Sequence, residues 1–122
     1  VKYVCLIYVP TDFHPTPAER EDLGAEYERL NETFDGREIV ARARLSEAHS
    51  ATTVRLRDGQ RLLSDGPFAE AKEVLAGFYM IECKDLDEAL DYAGRIPAAR
   101  HGAVEVRPVV ENWDPARETW RF

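Results

Sequence analysis

Residues Lys2 to Val9, KYVCLIYV, carry apolar side chains at both odd and even positions, so a strand built from them must be covered on both faces. That demand constrains the whole chain, because 122 residues with 44% hydrophobic content close one core rather than two. The next segment supplies cover for one face. Thr16, Pro17 and Glu19 form a capping box with proline at the first helical position, and Leu23, Tyr27, Leu30 and Phe34 follow at helical spacing. A helix is expected from Pro17 to Phe34, stopped at Asp35 and Gly36.

The remainder alternates strand and helix signals. REIVARARL sets Ile39, Ala41, Ala43 and Leu45 against Arg42 and Arg44, which predicts a second strand. ATTVRLRDGQRLLSDG holds a hairpin signal at Asp58 and Gly59, expected to extend the sheet. Gly77 to Cys83, GFYMIEC, is apolar on both faces except for Glu82 and suits a central strand. Asp85 then caps a second helix with Leu86, Ala89, Leu90, Ala93 and Ile96 along one side, stopped by Pro97. Ala103 to Val110 makes the last strand. The order predicts an α+β, ferredoxin-like βαββαβ fold with an added β-hairpin and both helices on one face of an antiparallel sheet. Two helices cover only one face. A second copy of the chain is the economical cover for the other, so a homodimer is expected.

Charge and motif content exclude several function classes. Sixteen Lys plus Arg stand against 23 Asp plus Glu, a net charge of -7 with no basic block, which leaves nucleic acid out as a partner. No apolar run reaches the ~20 residues that a bilayer span needs, and the N-terminus enters a strand without a charged leader region. A cytoplasmic protein without a membrane partner is expected. Cys5 and Cys83 lack CxxC spacing and read as reduced, buried thiols, and His14, His49 and His101 are scattered, so no metal is predicted. The GxSxG, Walker and Rossmann patterns are absent, and with them the signals for a serine nucleophile or a nucleotide cofactor; the prediction is that no cofactor is used.

At DGPFAEAKE, followed by GFY, DLDEAL, PAAR and GAVEVRPV, the chain resembles the YCII-related DGPF-domain family from Lys2 to about Val110. The resemblance implies a dimeric α/β-barrel of ferredoxin-like subunits. It also implies a family of largely unassigned activity, some members of which are associated with extracytoplasmic-function sigma factors. Broader YCII relatives are suspected enzymes with a His and an Asp in a cleft, the His near the start of the first helix; this helix has no histidine, and His14 precedes it. Residues 1–110 are read as the domain. Residues 111–122, with Trp113, Trp120 and Phe122, are read as an aromatic tail that packs on the domain or the dimer partner.

The candidate site residues each carry two readings. Asp65, Gly66 and Pro67 suit a shaped corner, because Asp bonds nearby amides, Gly supplies an unusual φ and Pro fixes its own. Alternatively Asp65 lines a cleft beside Glu70 and Lys72, where a carboxylate and an ammonium bind a polar ligand or move a proton. Phe68 to Ala76 fits either a short helix or an extended path. Glu105 and Arg107 share one face of the last strand, either as an anion pocket in which Arg107 grips a carboxylate or as a solvated ladder at the sheet edge. Arg42 and Arg44 share a face in the second strand. The leading expectation is a homodimer binding a small polar or anionic ligand through Asp65, Glu70, Lys72, Glu105 and Arg107. The alternatives are a cofactor-independent acid/base enzyme of isomerase or lyase type with Asp65 or His49 as base, and a regulatory module for a sigma factor.

Overall fold

The apolar run that opens the chain forms β1 (Lys2–Pro10), an inner strand of the main sheet in the computed structural model, which describes residues 1–34 and 39–117. After it come α1 (Pro17–Phe34), β2 (Ile39–Arg44), β3 (Thr52–Arg57), β4 (Gln60–Asp65), β5 (Glu73–Glu82), α2 (Leu86–Arg95) and β6 (Ala103–Pro108). Short 3-10 turns occupy Ala48–Ser50 and Pro97–Arg100. The main sheet has four strands in the order β2-β5-β1-β6, every neighbour antiparallel. With β3 and β4 set aside, this is the ferredoxin-like arrangement of a βαββαβ chain.

Both helices lie on the face that carries the odd residues of β1. Cys5 and Ile7 are buried there with Tyr79 and Ile81 of β5 and with Ala89, Tyr92, Ala93 and Ile96 from α2 and its end. Tyr27 and Leu30 of α1 pack on this core, as the spacing in the sequence predicts. The capping box is formed: the Thr16 N–H donates to Glu19 Oε1 at 3.1 Å and the Glu19 N–H to Thr16 Oγ1 at 3.2 Å. Asp85 caps α2 by accepting the Glu88 N–H at 2.9 Å. The side chain of Phe34 and the expected stop at Asp35 and Gly36 lie outside the described residues.

Three expectations about elements are corrected. The face of α2 is Ala89, Tyr92, Ala93 and Ile96, whereas Leu86 and Leu90 are 47% and 49% exposed. The small alanines let the helix lie close on the sheet, and Leu90, one residue from Ala89, is turned about 100° off that stripe. In β2 a bulge between Ile39 and Ala41 breaks the alternation, so Ile39 opposes Ile81 while Ala41 and Ala43 oppose Met80 and Phe78 on the other face. The hairpin does not extend the sheet. Strands β3 and β4 pair only with each other, around a turn in which Asp58 and Gly59 both take positive φ, 51° and 75°.

Of the two paths open to Phe68 to Ala76, the extended one is taken: β5 begins at Glu73, and no helix forms there. At its other end the chain returns to β1, where the Val109 N–H donates to the Lys2 carbonyl at 2.9 Å and the Glu111 carboxylate accepts the Lys2 N–H at 3.3 Å. Trp120 and Phe122 lie outside the described residues. No described helix is long and apolar enough to cross a membrane.

Candidate functional site

The even residues of β1 look away from the helices, and with them goes a second apolar surface. Val4 opposes Met80, and Leu6 opposes Phe78, all of them partly exposed, with Ala41 and Ala43 beside them on β2. On the β6 side of this face Leu6 stands opposite Glu105 and Val4 opposite Arg107. The Arg107 Nε–H donates to Glu105 Oε2, an ion pair between side chains that are 66% and 43% exposed. Only Nε is engaged among the described residues, so the edge formed by the two terminal nitrogens is available for a second, bidentate carboxylate.

Arg42 and Arg44 fall on the opposite face, where Arg42 opposes Tyr79 and Arg44 opposes Gly77. The two charged stripes read from the sequence thus point to different sides of the sheet. On the helix side Tyr79 donates its hydroxyl to Asn31 Oδ1 at 2.7 Å. Burial pushes the phenols of Tyr79 and Tyr27 up, with Arg42 pulling against it at Tyr79 and the Ala98 backbone, Arg100 and then Arg44 at Tyr27.

Asp65 and His49 sit at the hairpin root, and Glu70 and Lys72 on the segment that follows it. Asp65 ends β4 opposite Thr52, and the corner after it is closed by backbone: the Gly66 N–H donates to the Ala51 carbonyl at 2.6 Å, and the Thr53 hydroxyl donates to the Gly66 carbonyl at 2.9 Å. Gly66 has a φ of +89°, which favours glycine at this position. Asp65 is exposed and makes no hydrogen bond or ion pair among the described residues. His49 sits in the 3-10 turn before β3, with Nε2 at 3.1 Å from Glu47 Oε2. Glu70 and Lys72 are exposed on the way to β5, and the Lys72 carbonyl accepts the Thr11 N–H at 2.8 Å.

The candidate residues therefore do not all meet. Lys72 is level with Thr11 and Arg107 with Val4, and seven residues of extended chain at about 3.3 Å each separate them by roughly 23 Å. Within one chain a small ligand does not reach both Lys72 and Arg107.

The structure also joins residues that local sequence signals do not connect. Phe13, in the loop after β1, stacks on His101, in the loop before β6, with ring centroids 4.0 Å apart and planes 7° apart. Arg100 Nη2 donates to Glu26 Oε2 at 2.7 Å, beside a shallow groove of about 380 Å³ that Arg29, Thr33, Arg95 and Pro97 also line. Partial burial, and then the Arg100 cation, push the His101 imidazole below its ordinary range, while Glu26 opposes the shift. The core between sheet and helices has no room for a ligand: its void is about 10 Å³, lined by Cys5, Tyr79, Ile81 and their neighbours. Burial pushes the Cys5 thiol up to about 11, helped by Cys83, so neither thiolate chemistry nor soft-metal binding is favoured at Cys5. Among the described residues no three His, Cys, Asp or Glu side chains are grouped to hold a metal.

Comparison with known proteins places this geometry in a lineage. A stretch of 69 residues is 49% identical to an uncharacterized protein of Rhizobium meliloti (strain 1021), covering 55% of this chain and 56% of that protein. The chain thus spans little more than half the length of that relative. The sequence model of the YCII-related domain matches residues 1–113, which takes in both helices, the whole four-stranded sheet, the hairpin with its Asp65 corner and the β6 pair. With the match running through every element of the fold, the chain belongs to the YCII-related domain family.

Proposed function

We propose that this YCII-related protein works as a homodimer that binds a small polar or anionic molecule, with Arg107 as the recognition group and Glu105 as its orienting partner. The observation that supports this most directly is the apolar sheet face of Val4, Leu6, Phe78 and Met80, bare in the single chain and bordered on β6 by Glu105 and Arg107. A second copy laid on that face removes apolar surface from water and lowers the dielectric around the guanidinium. Both effects strengthen an ion pair with a bound carboxylate. Glu105 restrains Arg107 before the ligand arrives, so less side-chain entropy is lost on binding. Asp65 and His49 are exposed in the single chain, and His49 is already engaged by Glu47, so neither stands in an enclosed cleft that would hold a reactant against it, which favours binding over acid/base catalysis.

The test pairs sedimentation with an NMR titration using acetate, malonate and inorganic phosphate as probes. The expected result is a dimer at micromolar concentration whose β6 amides shift with malonate, the response being lost in Arg107→Gln and weakened in Glu105→Gln. Shifts that map instead to the Asp65 corner or to the groove beside Arg100, with β6 silent, would overturn the assignment of Arg107.

A further inference from the structure

The hairpin carries an amphipathic pattern, and among the described residues neither of its strands pairs with the main sheet. Its register puts Val54 opposite Leu63 and Leu56 opposite Arg61, so Val54, Leu56 and Leu63 share one face of the ribbon with Arg61, and with Thr52 and Asp65 at the root. They are 58%, 68% and 58% exposed. The other face carries Arg55, Arg57 and Gln60 with Leu62. A lone two-stranded ribbon is marginal in water, and it becomes stable when an apolar face is packed on something. Three aligned aliphatic side chains in open water are therefore a surface waiting for cover.

We propose that the hairpin β3–β4 is an intersubunit arm, its face of Val54, Leu56 and Leu63 seated on a second copy of this chain. The inference rests on the homodimer reading above and adds a second area of contact to it. Charge favours this occupant, with Arg61 on the docking face itself and Arg55 and Arg57 on the face behind it. Three arginines less two aspartates leave the hairpin strands and turn at +1 inside a chain of net charge -7, so the remainder of each copy stands at -8. Helix α1 alone holds six acidic residues against two arginines. Copies of net charge -7 repel each other as wholes, and the arm is the segment of opposite sign that is drawn to the acidic body of its partner.

Area points the same way. Four strands about 4.8 Å apart and about six residues long make a face of roughly 400 Å² in plan, well short of the ~800 Å² that each partner gives to a standard interface. The arm, two strands of six residues, adds about half as much again. The hairpin root is closed by the Gly66 N–H on the Ala51 carbonyl, and six residues of strand at about 3.3 Å each separate it from the turn at Asp58 and Gly59, a reach of roughly 20 Å.

The experiment uses the purified chain. p-Benzoylphenylalanine in place of Leu56, irradiated in a mixture of isotopically light and heavy protein, is expected to give cross-linked peptides that pair light with heavy. Val54→Asp combined with Leu63→Asp is expected to raise the dimer dissociation constant at least tenfold in sedimentation, with the circular dichroism of the main sheet and helices retained. A wild-type chain that sediments as a monomer at micromolar concentration overturns the homodimer reading and the arm together. A wild-type dimer whose Leu56 position cross-links only within its own chain, or whose dissociation constant is unmoved by the double variant, overturns the arm and leaves the dimer standing.

Discussion

His101 shows how two loops distant in sequence set one side chain's chemistry. Its ring lies flat on Phe13 at 4.0 Å, partly shielded from water, with the Arg100 guanidinium next to it in sequence. Both effects disfavour the imidazolium, and Glu26 opposes them only in part. The folded chain therefore binds the proton less readily than the unfolded one. It follows that the stability from neutral His101 is present above the unfolded value of 6.5 and is lost as pH falls through the lower folded value. An NMR titration of the His101 ring should give a midpoint below 6.5, and Arg100→Gln should move it upward, because the variant removes a cation and leaves Glu26 unpaired. A midpoint at or above 6.5 in the wild type would contradict this account. The corner at Asp65 makes a second case at this scale. A Cβ on Gly66 meets no atom within 4 Å, so Gly66→Ala is penalised through its φ of +89° alone, by about 1–2 kcal/mol. Asp65→Asn, at an exposed carboxylate, should cost less in denaturant unfolding, and the reverse ranking would mean that the corner is held by the carboxylate rather than by the backbone.

Elements follow from local signals where neighbours within the segment decide the outcome. Helix α1 runs from Pro17 to Phe34, as its capping box and spacing predict, and the hairpin turn falls on Asp58 and Gly59. What a sequence carries poorly is the partner of each face. Alternation in the hairpin shows that one side is apolar and says nothing about what that side touches, so the expected merger with the sheet did not follow. The bulge in β2 moves Ile39 to the face of Arg42, and a bulge depends on strand pairing rather than on composition. The same holds for the candidate site. Glu105 and Arg107, two residues apart in one strand, were readable as a pair, whereas their separation from Lys72 depends on the register of β1 with its neighbours. Packing between elements is close where the chain enters β6. A Cβ on Gly102 would collide with the Tyr8 carbonyl oxygen and lie 3.2 Å from Val9 Cα, all backbone of β1. Gly102→Ala must push β6 away from β1, and a loss of about 3 kcal/mol in denaturant unfolding is expected. Gly24→Ala, in helix α1 with nothing within 4 Å, should instead stabilise by about 0.5–1 kcal/mol. Equal effects at the two glycines would show that the close approach at Tyr8 is not real.

Across the whole molecule the main sheet separates two environments that meet at single peptide bonds, and β5 makes the contrast sharpest. Ile81 is 1% exposed among Cys5, Tyr79 and the residues of α2, while Met80, one position earlier, opposes Val4 and Ala41 on the face that no helix covers. A carboxylate placed at the first position has neither water nor a partner, and the chain must open to hydrate it. At the second position water reaches the carboxylate as long as the chain is alone, so the fold tolerates it. Ile81→Glu is therefore expected to abolish cooperative thermal unfolding of the native fold, and Met80→Glu to leave the melting transition of the subunit in place. If the open face is the seat of a second copy, Met80→Glu buries two carboxylates about one two-fold axis, and the dimer should dissociate by a factor of at least a hundred in sedimentation. That combination, a folded monomer from Met80→Glu and an unfolded chain from Ile81→Glu, assigns one face to the core and the other to the interface. A Met80→Glu protein that stays folded and dimeric with an unchanged dissociation constant would remove the open sheet face from the interface, and the apolar surface of Val4, Leu6 and Phe78 would then need another occupant.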